Sequence, residues 1–313
     1  MKLAVVLFNL GGPDSPQAVE PFLRNLFSDP AILTVPAVLR GPLAWFIAKR
    51  RAPFARAIYA KIGGASPILA ETREQADALD KVLIARGIEA KAFIAMRCWH
   101  PFSDEAAVEV AAWQSDRIVL LPLYPQFSTT TTGSSFQDWE RASGKAGITA
   151  PTIRICCYPE ARGFIAAEGR AYSNGVCKSE ARCRLSSAAF RTWDCPSGRL
   201  RRGDPYQWQV ERTAKAIVDG LGIDGLDWSV CYQSRVGPLE WIGPATDAEI
   251  RRAGADGKGV VIAPIAFVSE HSETLVELDI DMPILRSRAA LWTTFGCRRL
   301  ERTQTSSPHW PIW

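Results

Sequence analysis

Short apolar runs alternate with longer segments of helical period along most of this 313-residue chain. Such alternation is typical of βαβ units, in which helices cover both faces of a parallel sheet. We predict strands at six apolar runs: Leu3 to Leu10, Lys91 to Met96, Arg117 to Tyr124, Thr152 to Cys157, Trp228 to Tyr232 and Val260 to Phe267. The pattern therefore predicts an α/β fold.

Two segments between these runs carry apolar residues at helical spacing, with charged residues on the opposite face. The first is 71–85, and we expect it to end at Gly87. The second is 204–221, which begins with Asp204, a candidate N-terminal cap. Both are predicted to be helices that cover the sheet.

The pattern restarts with a new strand after the Gly-rich stretch 142–150, which predicts a domain boundary. We expect one α/β domain over 1–150, a second over 151–282 and an atypical tail over 283–313. Ligands of such open sheets bind outside the carboxyl ends of the strands, so candidate site residues are sought there.

Composition narrows the class of protein. A chain with 47% hydrophobic and 22% charged residues is globular, and a net charge of +4 without a basic block gives no reason to expect a nucleic-acid partner. No apolar run reaches the roughly 18 residues of a membrane span, and the first strand lacks the features of a signal peptide. The eight cysteines show no CxxC pair. We expect a cytoplasmic protein with reduced thiols.

Residues 31–53 form a mostly apolar segment that contains two prolines and ends near Lys49-Arg50-Arg51. One interpretation is a buried helical hairpin. The other is an exposed apolar lip beside cations, which suits an oily ligand with carboxylates or peripheral contact with the inner face of a membrane. The sequence leaves both open.

Polar and glycine-rich motifs follow three of the predicted strands. They are the turn after Asn9 that contains Leu10, the Arg97-Cys98-Trp99-His100 segment, and the hydroxyl-rich run Ser128 to Ser135. A cation next to an indole suits an aromatic dicarboxylate, and the hydroxyl-rich run predicts a polar wall at the ligand edge of the sheet. Tight turns, core packing and helix capping are the structural alternatives.

The segment after the last predicted strand has the most chemically distinctive residues. Glu273 and Glu277 are spaced i, i+4 and would share one helix face, with His271 just before them. An imidazole and carboxylates are suitable ligands for a divalent cation. Solvated helix charges are the structural alternative.

Eight motifs in succession resemble those of ferrochelatases. They are NLGGPDS, IAKRRAP, YAKIGGASPI, RCWHPF, LPLYPQFSTTTTGSS, GDPYQWQVE, CYQSRVGPLEWIGP and FVSEHSETLVELD. The resemblance implies two Rossmann-like halves with a porphyrin cleft, insertion of Fe²⁺ into protoporphyrin IX to form protohaem, and no cofactor beyond the substrate Fe²⁺. Some members of the family carry an iron-sulfur cluster held largely by C-terminal cysteines. Here the tail offers only Cys297, and Thr129 lies in the loop that can donate another ligand, so we expect no cluster.

The resemblance also assigns roles to residues. Glu273 and His271 are implied to be catalytic, and with Glu277 they are implied to handle the metal. The implied porphyrin-binding residues are Leu10, Arg97, Cys98, Ser128, Thr129 and Ser134. Cys98 stands where the family has a Tyr.

Residues 168–202 depart from the family. The essential His of the family's Ser-Ala-His-Gly-Leu-Pro motif has no counterpart in 184–202, and we expect no strand between 168 and 202. One interpretation is that this stretch and the tail after 281 are translated out of frame, and a real insertion is the alternative. We expect a weakened second domain and impaired activity. A non-catalytic porphyrin-binding protein is the alternative function, and a chelatase for another tetrapyrrole is a third.

Overall fold

The computed structural model describes residues 1–179, 186–193, 203–233, 242–256, 259–272, 274–276 and 291–294. The chain divides into two compact units. Unit 1 consists of Met1–Tyr124 with Ser128–Cys157, and unit 2 consists of Pro125–Phe127 with Tyr158–Trp313. Each unit contains its own parallel sheet.

The sheet of unit 1 has four parallel strands in the order β2-β1-β3-β4. Their bounds are β1 Lys2–Asn9, β2 Glu89–Met96, β3 Arg117–Pro122 and β4 Thr152–Arg154. The inner strand β1 is buried on both faces from Ala4 to Phe8, which explains its continuous apolar sequence. Three of the predicted strands therefore exist within one or two residues of their expected bounds, while β4 ends three residues early.

Five helices and one π-helical turn complete unit 1. Their bounds are α1 Val19–Ser28, α2 Ala37–Ala60, α3 Ile68–Ala85, α4 Ser103–Trp113 and α5 Ser134–Lys145, with the π-helical turn over Thr129–Gly133. Gly87 follows α3 with φ +77° and donates its N–H to the carbonyl of Ile84, so the predicted stop of this helix is confirmed.

The two faces of β1 pack into different clusters because side chains alternate along a strand. Phe8 lies on one face, where its ring meets Phe136 and Trp139 of α5 edge-on at centroid distances of 5.6 and 5.9 Å. Val5 and Leu7 lie on the other face, against Ala76 of α3. Helices thus cover both faces, as the sequence predicts.

The segment 31–53 contributes most of one helix, α2, so the interpretation as a helical hairpin is wrong. Within this segment, the buried side of α2 consists of alanines that are four residues apart, Ala44, Ala48 and Ala52. Large apolar side chains on the rest of the helix are exposed: Val38 81%, Leu39 58%, Trp45 48%, Phe46 56% and Phe54 67%. The small residues pack against α1, and the bulky ones face outward.

The sheet of unit 2 also has four parallel strands, in the order β6-β5-β7-β8. Its elements are α6 Arg162–Ser179, β5 Ser186–Trp193, α7 Tyr206–Leu221, β6 Asp227–Gln233, α8 Thr246–Ala255, β7 Gly259–Ala263 and β8 Leu291–Thr294. The N-cap of α7 is Pro205; Asp204 lies one residue earlier, and its side chain accepts the N–H of Tyr206 at 3.0 Å.

Two expectations for unit 2 are wrong. Residues 186–193 form β5, an inner strand of the sheet, although 168–202 was expected to contain no strand. Residues 186–193 form a strand because their backbone pairs with β6 on one side and with β7 on the other. The abundance of Ser and Arg in this segment does not predict that pairing. In addition, β7 ends at Ala263 instead of continuing to Phe267, because Pro264 has no N–H to donate to the ladder.

Within the described residues, no helix combines the length and the apolar character that crossing a membrane requires.

Candidate functional site

The carboxyl ends of β1 and β2 are joined by backbone hydrogen bonds. The N–H of Arg97 donates to the carbonyl of Asn9 at 2.9 Å, and the N–H of Cys98 donates to the carbonyl of Leu10 at 2.8 Å. Three of the residues predicted to bind substrate, Leu10, Arg97 and Cys98, are therefore neighbours at the edge where open α/β sheets bind ligands.

Two glycines permit the close approach of backbone at this edge. Gly11 has φ +83°, and a Cβ there would lie 3.1 Å from the Cβ of Met96 and from the N of Trp99. A Cβ on Gly12 would lie 2.5 Å from both Cβ and Oγ of Ser66. The turn after β1 thus requires glycine because neighbouring segments fill the space.

Arg97 is held by two side chains that come from different parts of unit 1. Its Nη2 lies 3.0 Å from Oδ2 of Asp29, and its Nε donates to Oγ of Ser134 at 2.7 Å. The Ser134 hydroxyl in turn donates to Asp29, whose other oxygen accepts the N–H of Ala31 at 2.7 Å. Asp29 is 3% exposed and Arg97 is 20% exposed, so the pair is largely shielded from solvent.

Arg97 also lines a cavity of about 440 Å³ within unit 1. Most of its lining side chains are charged or titratable: Asp29, Arg97, His100, Asp104, Glu105, Asp138 and Arg141. Several charged side chains of the cavity wall form ion pairs with one another. His100 Nδ1 lies 2.8 Å from Oε2 of Glu105, and Arg141 binds both Asp104 and Asp138. Hydrogen bonds from Arg141 hold the pKa of Asp104 low, at about 2.

Of the residues that line this cavity, the sequence pattern indicates Arg97 and His100, and it does not indicate Asp29. Asp29 lies directly after α1 and looks like an ordinary helix-terminating residue in the sequence. Its only distinctive property is burial against Arg97, which depends on how α1 packs beside the ends of the strands.

Cys98 is 1% exposed and packs in the apolar cluster between α1 and α2. Burial raises the pKa of its thiol to about 12, so the thiol is neutral at physiological pH. Its carbonyl accepts a hydrogen bond from the Asn25 side chain at 3.1 Å. Contact between Cys98 and a substrate stays a prediction.

The hydroxyl-rich run forms a compact helical turn. Ser128 caps it, because its Oγ accepts the N–H of Thr130 at 3.2 Å and its carbonyl accepts the N–H of Gly133 at 3.0 Å. Ser128 and Ser134 are buried, and Thr129 is exposed. Capping, which was the structural alternative for this run, therefore accounts for Ser128, and the pairing with Arg97 accounts for Ser134.

In unit 2, Thr274 organises the segment that carries His271. The Thr274 hydroxyl donates to Oε2 of Glu270 at 2.6 Å and accepts the N–H of His271 at 2.9 Å. Glu270 is 2% exposed. The His271 ring lies with its centroid 5.0 Å from that of Phe267 and is half-buried. Thr274 thus holds the backbone of His271, and the imidazole lies against Phe267.

The two carboxylates predicted to accompany His271 lie outside the described residues, at Glu273 and Glu277. In the part of the chain that the structure does describe, no three metal-ligating side chains converge on one point. The metal assignment to His271, Glu273 and Glu277 therefore stays a prediction.

Comparison with known proteins decides the family. The ferrochelatase family profile matches residues 2–300. The chain belongs to the ferrochelatase family. The ferrochelatase of Caulobacter vibrioides (strain NA1000 / CB15N) is 54% identical over 280 residues, which cover 89% of this chain and 79% of the relative. The ferrochelatase of Phenylobacterium zucineum (strain HLK1) is 51% identical over 297 residues, which cover 93% and 84%.

The α/β architecture agrees with a solved structure. SirB from Bacillus subtilis, determined with Fe³⁺, aligns over 96% of this chain and 92% of its own, with a TM-score of 0.52. At 11% sequence identity this similarity supports the fold alone. The ferrochelatase assignment rests on the sequence matches.

Proposed function

We propose that this protein inserts Fe²⁺ into protoporphyrin IX to form protohaem, with His271 and Glu273 as the residues that handle metal and protons. The observation that carries the proposal is its membership of the ferrochelatase family, with curated ferrochelatases more than half identical over most of the chain. The enzyme is a lyase of haem biosynthesis.

Metal insertion demands particular chemistry from the protein. Two pyrrole N–H protons leave the macrocycle, and the ring must bend so that the nitrogen lone pairs face the incoming ion. An imidazole is a suitable proton acceptor; Thr274 holds the backbone of His271, and Phe267 lies beside its ring. The carboxylate of Glu273, two residues further on, would deliver the ion or pass the protons onward.

Unit 1 would contribute the binding surface for the porphyrin. Arg97 is a cation at the ligand edge of the sheet, and porphyrin carboxylates are anions. The proposed contacts are Leu10, Arg97, Cys98, Ser128, Thr129 and Ser134. Since Asp29 already neutralises Arg97, we propose that Arg97 orients the substrate through hydrogen bonds more than through net charge.

We further propose that turnover by this exact chain is impaired. Residues 184–202 contain no His, whereas the Ser-Ala-His-Gly-Leu-Pro motif of the family supplies one in the corresponding region. Losing a general base lowers rates by roughly 10² to 10⁴. A protein that binds porphyrin without metallating it is the alternative function that this loss favours.

Soret titration separates the two functions. Porphyrin is added to the purified chain without metal, and Fe²⁺ is then added without oxygen while metallation is followed by absorbance. We expect binding in the first step and slow metallation in the second. Restoring a Ser-Ala-His-Gly motif within 184–202 should then raise the rate by about 10²-fold or more.

The role of Glu273 is tested in the restored chain. Glu273→Gln should abolish metallation and leave porphyrin binding within twofold, while the exposed Glu74→Gln serves as the matched control. Metallation that does not change in Glu273→Gln would refute the assignment of this carboxylate. Absence of porphyrin binding would refute both functions.

The exposed apolar side of α2 suggests where the protein works. Bulky side chains such as Trp45 and Phe46 face outward beside Lys49, Arg50 and Arg51, a combination that favours anionic lipid surfaces. We propose a cytoplasmic protein that contacts the inner face of the membrane peripherally. Such contact would bring it close to an oily substrate.

A further inference from the structure

Two consecutive cysteines follow the outer strand β4 of unit 1. The N–H of Ile155, just before them, donates to the carbonyl of Leu120 at 2.9 Å, and the N–H of Tyr158, just after them, donates to the carbonyl of Pro125 at 2.8 Å. The cysteines belong to unit 1, whereas Tyr158 and Pro125 belong to unit 2, so the hydrogen bond of Ile155 is the one that anchors the pair within its own unit.

The two thiols are in contact with each other and with solvent. A hydrogen bond joins the side chains of Cys156 and Cys157, Cys156 is exposed and Cys157 is half-buried. The other two cysteines whose side chains the structure describes, Cys98 and Cys231, are at most 1% exposed. Among these four, only the adjacent pair is accessible to a reagent.

We propose that Cys156 and Cys157 form a dithiol site that chelates trivalent arsenicals. Adjacent, mutually hydrogen-bonded thiols can both bond to one As(III) centre without rearrangement of the anchored backbone. In the reaction, R–As(OH)₂ loses two As–O bonds and gains two As–S bonds. Each departing hydroxide takes one thiol proton, so two waters are released and no oxidant is needed.

The environment of the pair favours chelation over single-thiol chemistry. Although Cys156 is exposed, partial desolvation and the hydrogen bond with Cys157 raise its pKa to about 11, so the thiol is protonated at neutral pH. Alkylating agents and peroxides react with thiolate, and Cys156 should be a slow target for them. The hydroxide that leaves the As(III) centre takes up the thiol proton, and the second As–S bond is intramolecular once the first has formed.

The test uses phenylarsine oxide and the full chain, reduced with a phosphine so that no competing thiol is present. Binding is followed by intact-mass spectrometry and by titration against a dithiol-sensitive arsenical dye. We expect one tight adduct per chain, and we expect Cys156→Ser and Cys157→Ser each to weaken it by about 10²-fold or more, because only one As–S bond remains.

Cys231→Ser is the matched control and should bind like the parent chain. Affinity that is unchanged in both Cys156→Ser and Cys157→Ser would overturn the proposal and assign the adduct to another cysteine. Slow reaction of Cys156 with iodoacetamide at pH 7, beside tight arsenical binding, supports the chelating mechanism. Fast alkylation of Cys156 at that pH would contradict it. These outcomes do not depend on metallation activity.

Discussion

Arg97 and the buried Asp29 form an ion pair at the ligand edge of unit 1, with 3.0 Å between Nη2 of Arg97 and Oδ2 of Asp29. Ser134 bridges the same two groups. Because Asp29 is almost completely buried, its partners cannot be replaced fully by water. The position of the Arg97 guanidinium therefore depends on a residue that does not itself need to touch a ligand.

Asp29→Asn should loosen Arg97 and lower stability. The amide has the same size as the carboxylate but is neutral, so it weakens the hydrogen bonds that the charged Asp29 accepts. We expect a loss of ~1–3 kcal/mol in the free energy of unfolding. Porphyrin affinity should fall by roughly tenfold as Arg97 loses its orientation. Urea denaturation and Soret titration measure the two effects, and the exposed Asp77→Asn should change neither.

Thr274→Val tests whether Thr274 positions His271. The variant removes the hydroxyl that meets Glu270 at 2.6 Å and leaves that buried carboxylate with one partner fewer, a cost of ~1–3 kcal/mol. In a chain with the restored motif, kcat should fall and the KM for porphyrin should hardly change. Thr274→Ser should rescue kcat, and failure of that rescue would mean that the methyl group matters instead.

Glu168 should make the stability of unit 2 depend on pH. It lies in α6, is 6% exposed, and burial raises its pKa from 4.5 to about 8. Between these values the folded chain keeps a proton that the unfolded chain releases, so stability is highest below pH 4.5 and falls as the pH rises towards 8. Above the folded pKa the loss levels off.

Glu168→Gln should abolish this slope. Since one pKa unit corresponds to ~1.4 kcal/mol, the free energy of unfolding of the variant relative to the parent should rise by ~2–5 kcal/mol between pH 4.5 and pH 9. Chemical denaturation across that pH range measures it. If the free energies of unfolding of parent and variant change with pH in parallel, Glu168 does not have a raised pKa. The control is Glu109→Gln at an exposed position, whose curve should run parallel to that of the parent.

Gly12→Ala should destabilise unit 1, because the new Cβ would lie 2.5 Å from the side chain of Ser66. Relief of such overpacking typically costs ~1–3 kcal/mol. Gly144→Ala is the matched control, since Gly144 lies in α5 and a Cβ there meets nothing within 4 Å. That change should stabilise by ~0.5–1 kcal/mol, so thermal melts of the two variants should shift in opposite directions.

Phe46→Ser combined with Phe54→Ser should reduce binding to vesicles that contain anionic lipid. Each phenyl group removed from a membrane interface costs ~1.5 kcal/mol, so sedimentation should show at least a tenfold loss. Ile84→Ser with Val108→Ser removes equally exposed apolar groups elsewhere on unit 1 and should have no effect. Equal losses in both double variants would indicate non-specific adhesion.

The local sequence predicts secondary structure correctly where the buried side chains follow a short, regular pattern along the chain. The continuous apolar run of β1 predicts a strand buried on both faces, and Gly87 predicts the end of α3; both are confirmed. Long ordered motifs also allowed the ferrochelatase family to be recognised from the sequence, and the family profile confirms it. The strand and the helix end are encoded within a few residues, and the family is encoded in the order of its motifs along the chain.

Only the tertiary structure decided the pairing of Arg97 with Asp29, the strand β5 and the outward direction of the bulky side chains of α2. Each depends on neighbours far away in the sequence: α1 beside the strand ends, β6 and β7 on either side of β5, and the close packing of the alanines of α2 against α1. Sequence periodicity records that a side chain is buried. Which distant partner buries it is determined by the path of the folded chain.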